Sequence, residues 1–502
     1  MEHLKEIVEI VTANKVKKIE VIGNPADKGT KLQKFYAAIQ EGKVSSDEEA
    51  FELLYGGHGD KNAYHKLKHV LRERLINTLF FIDTKTNKYS EIQETYFQCT
   101  KEFLATEILG MRGGTKTKIK LSEKLLVTTL KYDFTHLSMM LSARLAFYYA
   151  QAFGDRRKFT YYNELMQDLT ELNAKEVKAE SHHWDIISYY VKDKSTKSFI
   201  SAIASRYYDE VVAMKTKMTS RKVVQMTAML KIFALMSQND YKNVITICRQ
   251  ALKEMEQFSY VDINAISGIT LQLVASCIHL KRYEEAKAGI EKCFQVQEGG
   301  RMNWFKTHEL HLTLCLHTQR YDEAWEIYRA ATSHKGFPKI PVHWQETWKI
   351  FEAWLLFLSA VGKANAQGAG KAFRASRFLN EVPSFSQDKR GMNVSIVIVQ
   401  MCMAIAERKY DTVMDRVEAL SKYKDRYLDR DNNYRSNCFI RMVTEMEKQR
   451  FRQKHTLNHT RKLFADMSSS PIDITDQSHD VEILPLEDTW ELIISLLPEQ
   501  GF

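Results

Sequence analysis

The feature that most constrains this chain is a short segment that recurs four times between residues 239 and 421. Each copy starts with a polar break and a tyrosine, and the tyrosines are Tyr241, Tyr283, Tyr321 and Tyr410. Small, apolar or aromatic residues follow three, seven and ten positions later: Val244, Cys248, Ala251; Ala286, Ile290, Cys293; Ala324, Tyr328, Ala331; and Val413, Val417, Leu420. Because that spacing places side chains on one face of a helix, the pattern predicts four copies of one amphipathic helix.

The distances between the copies indicate the size of the repeating unit. Successive tyrosines lie 42, 38 and 89 residues apart, and the last distance is about two units. A period of this length is typical of a two-helix repeat. Such a pair cannot bury its apolar face alone, so it stacks on its neighbours and builds a superhelix with an extended concave surface. The sequence therefore predicts a protein that works by holding a partner.

These segments resemble tetratricopeptide repeats. The second helix of each unit follows the family in its tyrosine and in the residues three, seven and ten positions on. The first helices depart from the family, which favours a large residue, a Leu, a small residue and a Tyr at its packing positions. This chain has Thr270, Leu273, Val274 and Cys277 there before the second copy, and His308, His311, Leu312 and Cys315 before the third. The chain departs from the family in its longer period and in lacking the closing proline. The resemblance implies an all-α fold in which antiparallel helix pairs form a right-handed solenoid.

Composition agrees with a helical array. The chain has seven prolines, and none lies between Pro25 and Pro338. Since proline breaks helix interiors, its absence over such a length favours a stack of helices. No apolar stretch approaches the roughly 20 residues of a membrane span, and the N-terminus MEHLKEIVEIV is charged and amphipathic where a signal peptide is apolar. A cytoplasmic location is expected.

The seven cysteines fit the same interpretation. None pairs in a CxxC spacing, and four of them, Cys248, Cys277, Cys293 and Cys315, occupy inward positions of the repeats. Small buried thiols in a reducing compartment are expected, and neither a disulfide framework nor a zinc ribbon is.

Three regions can be separated along the chain. Residues 1–125 form an N-terminal helical region, residues 126–465 the repeat array, and residues 466–502 a linker with a C-terminal helix. In the first region Ser46 and Glu49 fit a capping box, and the glycines from Gly56 to Gly59 end that helix. An apolar stripe then predicts a helix from Lys61 to Asp83, with Tyr64, Leu67, Leu71, Leu75, Leu79 and Ile82 on one face.

Two further helix pairs are predicted beside the four clear copies. Leu137 to Phe153 followed by Phe159 to Leu172 forms a pair ahead of them. Trp348, Phe351, Trp354, Leu355 and Leu358 mark the first helix of another pair, and Lys371 to Val382 its second helix.

The last 32 residues are acidic, although the whole chain carries a formal charge of +9. Residues 471–502 contain eight acidic residues and no Lys or Arg: Asp473, Asp476, Asp480, Glu482, Glu487, Asp488, Glu491 and Glu499. Between Pro485 and Pro498 a short helix is predicted, with Trp490, Ile493, Ile494 and Leu497 on one face. This helix can cap the array, dock into a groove of another chain, or mask the chain's own concave face.

Three constellations were weighed as chemical sites. Residues 110–117 (GMRGGTKT) nearly spell a phosphate-binding loop, but Thr115 replaces its second glycine and a helix precedes it where the motif needs a strand. His308, His311 and Cys315 share a helix face and have ligand side chains, yet they coincide with packing positions. His182 and His183 lack a nucleophile nearby. No catalytic, cofactor-binding or metal site is therefore predicted.

Basic clusters are the remaining candidates for contact with a partner. One comprises Lys61, Lys68 and Arg72, a second Arg112, Lys116, Lys118, Lys120 and Lys124, and a third Lys448, Arg450, Arg452 and Lys454, which continues to Arg461 and Lys462. Each can be a solvated helix face, a contact for an acidic protein, or a contact for phosphates of nucleic acid.

The sequence thus predicts a non-catalytic scaffold or adaptor that binds a protein or peptide through the concave face of a helical array. The alternative is a nucleic-acid-associated subunit that uses the basic faces around Lys61 to Arg74 and Lys448 to Lys462.

Overall fold

A computed structural model describes residues 29–57, 59–81, 91–192, 197–260, 262–365, 392–427, 434–470 and 482–500. Within these residues the chain forms twenty α-helices, one short 3₁₀ helix and no β-strand. The prediction of an all-α protein is confirmed. None of the helices in this part of the chain has both the length and the apolar composition needed to cross a membrane.

The chain divides into two compact units, residues 1–163 and residues 164–502. The first contains α1 (Lys31–Gln40), α2 (Asp47–Tyr55), α3 (Lys61–Leu79), α4 (Glu91–Met111), α5 (Thr115–Lys131) and α6 (Thr135–Gln151). Helix α7 (Arg156–Lys192) begins in the first unit and continues into the second.

The second unit continues with thirteen helices in its described residues. They are α8 (Lys197–Ala213), α9 (Arg221–Met236), α10 (Tyr241–Met255), α11 (Ile263–His279), α12 (Tyr283–Val296), α13 (Met302–His317), α14 (Tyr321–Thr332), α15 (Val342–Ala360), α16 (Met392–Ala406), α17 (Tyr410–Tyr427), α18 (Tyr434–Lys448), α19 (Gln453–Ser469) and α20 (Leu486–Leu496), with the 3₁₀ turn Phe337–Lys339 before α15.

Local sequence signals set the ends of the first helices. The hydroxyl of Ser46 accepts a hydrogen bond from the Glu49 backbone, and the Glu49 carboxylate accepts one from the Ser46 backbone, which confirms the predicted capping box. Gly56 ends α2 in the left-handed conformation with a φ of 63°. The apolar stripe of α3 packs with α1 and α2 around Phe35, whose side chain is fully buried. Helix α3 ends at Leu79, and Ile82 lies outside the described residues.

One turn geometry recurs between paired helices of the second unit. The residue two positions before each aligned tyrosine is left-handed, with φ of 60°, 55°, 57° and 58° at Asn239, Lys281, Gln319 and Arg408. The next backbone N–H bonds to a carbonyl five residues earlier, as from Arg282 to Cys277 at 2.8 Å. This Schellman arrangement satisfies carbonyls at the end of the first helix and reverses the chain. The pairs α9/α10, α11/α12, α13/α14 and α16/α17 are therefore helical hairpins with a common turn.

The aligned positions form the contacts between these helices. All are buried except Tyr283, which is partly buried. Each helix from α8 to α15 packs on the next one along the chain, and α16 to α20 do the same. The apolar face predicted from the spacing is thus the face that the hairpins bury.

The seven cysteines are free and buried. Burial raises the pKa of the Cys248 thiol to about 12 and that of Cys277 to about 11. All seven pack as small apolar side chains, and four of them, Cys248, Cys277, Cys293 and Cys315, do so at the inward repeat positions predicted from the sequence.

Some predicted features lie outside the described residues: the N-terminal segment, the helix from Lys371 to Val382, and the acidic residues Asp473, Asp476 and Asp480. Helix α19 extends to Ser469, so the first residues of the segment predicted as a linker are helical. The hydroxyls of Ser469 and Ser470 donate to the Asp466 carbonyl and satisfy this helix end.

Candidate functional site

Helices α7 to α10 enclose a groove of about 300 Å³ in the second unit. Its apolar lining includes Val212, Val223, Val224 and Ile247, contributed by α8, α9 and α10. Tyr208 adds an aromatic ring to the same wall. A concave and mainly apolar site with a few polar groups is the usual form of a binding pocket. We refer to it as the α7–α10 groove.

Polar groups stand around this apolar lining. Lys175 and Lys231 both border the groove, and Lys231 Nζ lies 4.7 Å from the Tyr208 ring centroid. Lys175 Nζ donates to the Met214 carbonyl at 2.8 Å. Burial and the nearby Lys215 lower the pKa of Lys175. Thr227 Oγ1 is buried without a hydrogen-bond partner among the described residues. The groove therefore offers two lysines to a ligand.

The C-terminal segment, residues 482–500, lies against other helices of the same unit. Helix α20 packs on α16, α18 and α19, and Trp490, Ile493, Ile494 and Leu497 are all buried. The Trp490 ring meets Phe439 edge-on at 6.2 Å between centroids. Gln453 of α19 donates from its backbone to the Pro498 carbonyl at 3.1 Å. The four residues predicted as a docking face thus contact this chain's own core, and docking to another chain stays a prediction.

Arg435 holds this segment through a buried ionic cluster. Its side chain is fully buried, and its guanidinium pairs with both oxygens of Glu482 at 2.8 and 3.0 Å. It pairs as well with both oxygens of Glu487 at 3.1 and 2.5 Å. Burial opposes ionisation of Glu487, but the hydrogen bonds and charge of Arg435 outweigh burial and lower its pKa. One cation therefore ties two carboxylates of the C-terminal segment to α18.

The same segment reaches the turns of two hairpins. Lys281 of the α11/α12 turn pairs with Glu487 at 3.3 Å, and Gln319 of the α13/α14 turn donates to Asp488 at 3.3 Å. His317, at the end of α13, bonds to the Glu482 carbonyl through its Nε2. Burial lowers the pKa of His317 to about 4, so it is neutral at physiological pH and its Nε2–H is the donor.

The predicted basic clusters differ in how exposed they are. Lys448, Arg450, Arg452 and Lys454 are all exposed around the α18–α19 turn, and of these only Lys448 has an acidic partner in the described part of the chain, Glu445 at 3.5 Å. Lys61 and Arg72 are exposed on α3, whereas Lys68 pairs with Asp47 at 2.7 Å. The α18–α19 cluster is therefore the less neutralised of the two.

The segment that resembles a phosphate-binding loop is a tight turn between helices. Gly110 lies inside α4, and α5 begins at Thr115. Lys118, assigned from the sequence to a surface cluster, is buried, pairs with Glu107 at 3.2 Å and lies 5.1 Å from the Tyr148 ring centroid. The charge of Lys118 is therefore paired within the first unit and does not contribute to a surface cluster.

His182 belongs to a polar cluster between α7 and α8. Its ring stacks on Tyr207 at 3.7 Å between centroids, and its Nε2 lies 2.9 Å from Glu210. Tyr207 donates to Asp185 at 2.7 Å. These contacts join two helices through side chains that all have partners.

The structure separates His308 from His311 and Cys315, the other two residues of α13 that have ligand side chains on the same helix face. His308 Nδ1 bonds to the Trp304 carbonyl at 2.9 Å, and its ring lies 3.9 Å from the Trp304 centroid. His311 and Cys315 instead approach Glu323 of α14, and ligand atoms of these three lie within 4.8 Å of one another. Sequence analysis missed Glu323 because it lies on the following helix, although its place two residues after the aligned Tyr321 was a usable signal.

Comparisons with protein-family models, with curated proteins and with solved structures give no match. The helical hairpins and the sites described above are therefore the features of this chain that bear on its function.

Proposed function

We propose that this chain is a non-catalytic scaffold whose helical hairpins stack as a right-handed superhelix of the tetratricopeptide type and hold a protein or peptide segment. The α7–α10 groove is the site that we assign to this segment. The observation that carries the proposal is the groove's lining, which combines an apolar wall with two lysines. A cytoplasmic location is part of the same proposal.

The chemistry of the groove indicates its occupant. The apolar side chains of Val212, Val224 and Ile247 suit one aliphatic or aromatic side chain of the occupant. Contact removes both apolar surfaces from water, and this burial gives most of the binding free energy. Lys175 and Lys231 suit a carboxylate beside it, while Glu254, which also lines the groove, disfavours a second acidic group there. The occupant is therefore a peptide segment with an apolar anchor next to an Asp or Glu.

A peptide-display selection on the full-length protein tests this assignment. We expect selected sequences to share an apolar residue adjacent to an acidic one. Charge reversal by Lys175→Glu with Lys231→Glu should weaken binding of these peptides at least about tenfold, since two attractive contacts become repulsive. The matched control is Lys253→Glu, because Lys253 is an exposed lysine of α10 outside the groove. Selected peptides without an acidic residue, or equal binding to both variants, would contradict the proposal.

A second function, contact with nucleic acid, is favoured by the exposure of the α18–α19 cluster. Its test is fluorescence anisotropy with a single-stranded RNA and with duplex DNA over a range of salt concentrations. Binding through these side chains gives an affinity that falls with salt, and Arg450→Gln with Arg452→Gln lowers the slope by about two phosphate contacts. Salt-independent binding, or a slope unchanged in the variant, would rule this function out.

A further inference from the structure

Helices α13 and α14 bring together three side chains of the types that bind transition metals. Ligand atoms of His311, Cys315 and Glu323 lie within 4.8 Å of one another, and His311 Nε2 is 3.4 Å from Glu323 Oε1. In the described part of the chain this is the one such group of three. Small side-chain rotations suffice to place all three around one ion, because tetrahedral bonds of about 2.0–2.3 Å put neighbouring ligand atoms roughly 3.5 Å apart.

The burial of the three groups suits an ion that enters from solvent. Cys315 is fully buried, whereas the side chains of His311 and Glu323 are 22% and 39% exposed. Imidazole nitrogen, thiolate sulfur and carboxylate oxygen together favour Zn²⁺ or Co²⁺ over Mg²⁺ or Ca²⁺, which prefer oxygen ligands. Three protein ligands leave a fourth position for water.

The two oxygens of Glu323 face different neighbours. Oε1 is the oxygen near His311, while Oε2 accepts a hydrogen bond from Arg320 at 2.8 Å. An outer partner that binds the second oxygen of a ligating carboxylate orients the first, as is usual around protein metal sites. Arg320 therefore fixes Glu323 in a position to ligate.

The preceding hairpin shows what these positions do without a histidine. Cys277 and Glu285 of α11/α12 align with Cys315 and Glu323, and Arg282 aligns with Arg320. Leu273 stands where α13 has His311. Glu285 is bound by two arginines, Arg282 at 2.5 Å and Arg249. The common positions thus build a Cys–Glu–Arg contact, and its carboxylate is fully neutralised in α11/α12.

The charge around the later hairpin is different. Glu291 occupies the position that Arg249 holds one hairpin earlier, so a second carboxylate replaces the second arginine. Its charge acts on His311, together with those of Glu323 and Arg320. Lys287 faces Cys315 from α12. The charged residues at this cluster are therefore two acids, one arginine and one lysine, which sum to zero. At its counterpart in α11/α12 they are one acid and two arginines, which sum to +1. A metal cation is therefore repelled less at the later hairpin.

We propose that His311, Cys315 and Glu323 bind one divalent ion of the zinc class, which ties α13 to α14. The ion links the two helices on either side of the turn that contacts the C-terminal segment through Gln319. This site is independent of the scaffold function and of the α7–α10 groove.

Cobalt titration of the metal-free full-length protein tests the proposal. Co²⁺ should saturate at one equivalent with a near-ultraviolet thiolate-to-cobalt charge-transfer band and the visible bands of tetrahedral cobalt, and Zn²⁺ should displace it. The variant His311→Leu, which copies Leu273, should weaken binding by more than the 10- to 100-fold typical of losing an outer partner. Arg320→Gln should weaken it about tenfold.

Controls separate this site from the other thiols. Cys315→Ser should abolish the charge-transfer band, and Cys277→Ser should keep it. Circular dichroism and thermal melting of each metal-free variant establish whether it is folded. If Cys315→Ser does not fold, His311→Leu is the variant that tests the site. A folded wild-type protein without the band, or a band of undiminished affinity in folded His311→Leu, would overturn the proposal.

Discussion

The hairpins α11/α12 and α13/α14 share one turn architecture, and a few side chains at and beside that turn are the same in both. Both have a left-handed residue at the same place in the turn, and both have a buried cysteine, a histidine and an Arg–Glu pair at matching positions. Among the positions that differ, α13 has His311 where α11 has Leu273, and the helix before α13 has Glu291 where the helix before α11 has Arg249. The shared residues build the turn and the contact between the two helices. The positions that differ are the ones that give α13/α14 its possible metal ligands and its different local charge.

Equivalent residues also receive different partners. His279 of α11 stacks on Tyr241 at 4.4 Å between centroids, whereas His317 of α13 bonds to the carbonyl of Glu482. Lys281 pairs with Glu487, and its counterpart Gln319 bonds to Asp488. The C-terminal segment thus makes polar contacts with both turns, and those contacts differ between two hairpins that share one turn geometry.

The largest effect is expected where both turns depend on the C-terminal segment. Arg435→Met removes the cation that pairs with both Glu482 and Glu487, whose side chains are only 9% and 16% exposed, and leaves Glu487 with Lys281 alone. It should lower the free energy of unfolding by about 3–5 kcal/mol. Denaturant unfolding measures this, with the exposed Arg441→Met on the same helix as control. Changing both glutamates to glutamine in the Arg435→Met background should restore part of the loss. If Arg435→Met lowered the free energy of unfolding no more than Arg441→Met does, the contacts of Arg435 with the C-terminal segment would not stabilise the fold.

The histidine of the second hairpin predicts a pH dependence. The pKa of His317 is about 4 in the folded protein, below its ordinary value of 6.5, so between these pH values the unfolded chain binds a proton that the folded one does not. Stability therefore falls as the pH drops from 6.5 to 4, by at most about 3 kcal/mol for this group.

His317→Gln keeps a donor for the Glu482 carbonyl and does not titrate. Its unfolding free energy should depend less on pH than that of the wild type over this window, although His183, whose pKa burial also lowers to about 4, still contributes. His65→Gln on the exposed face of α3 is the control. Equal slopes for wild type and His317→Gln would show that His317 takes up its proton in the folded state.

Equivalent alanines test whether the two hairpins pack alike. Ala286 and Ala324 are both fully buried, so Ala286→Phe and Ala324→Phe should each overpack their contact and cost about 1–3 kcal/mol. Thermal melting of both variants measures the effect. A loss in one hairpin and none in the other would show that the common turn does not impose a common helix separation.

The smallest effect concerns a close approach found in α11/α12. A Cβ on Gly289 would lie 2.5 Å from Val274 Cγ2, while the position that aligns with it in α14 holds Ile327. Gly289→Ala should therefore cost about 1 kcal/mol despite the better helix propensity of alanine. In the control, Gly268→Ala, the nearest atom is 4.0 Å away, and stability should rise by up to about 1 kcal/mol. Unfolding in urea compares them, and a gain at Gly289 would contradict the close approach.

Much of the helical architecture could be predicted because its signals are local. The Ser46 capping box, the left-handed Gly56, the α3 stripe and the buried positions after each aligned tyrosine all depend on residues within about ten positions of one another. The candidate sites were predicted less well. Lys118 was assigned to the surface because its neighbours are basic, yet its partner Glu107 lies on the preceding helix.

By itself the sequence determined the helices, the apolar face that each repeat buries, and the acidic character of the C-terminal segment. Only the tertiary structure decided that Arg435 neutralises Glu482 and Glu487, and that Glu323 joins His311 and Cys315. The physical reason is range: helix periodicity and caps are set by hydrogen bonds between near neighbours in the chain, whereas ion pairs and ligand sets depend on which helices meet. Lys281 and Glu487 are 206 residues apart, and no periodic pattern connects them.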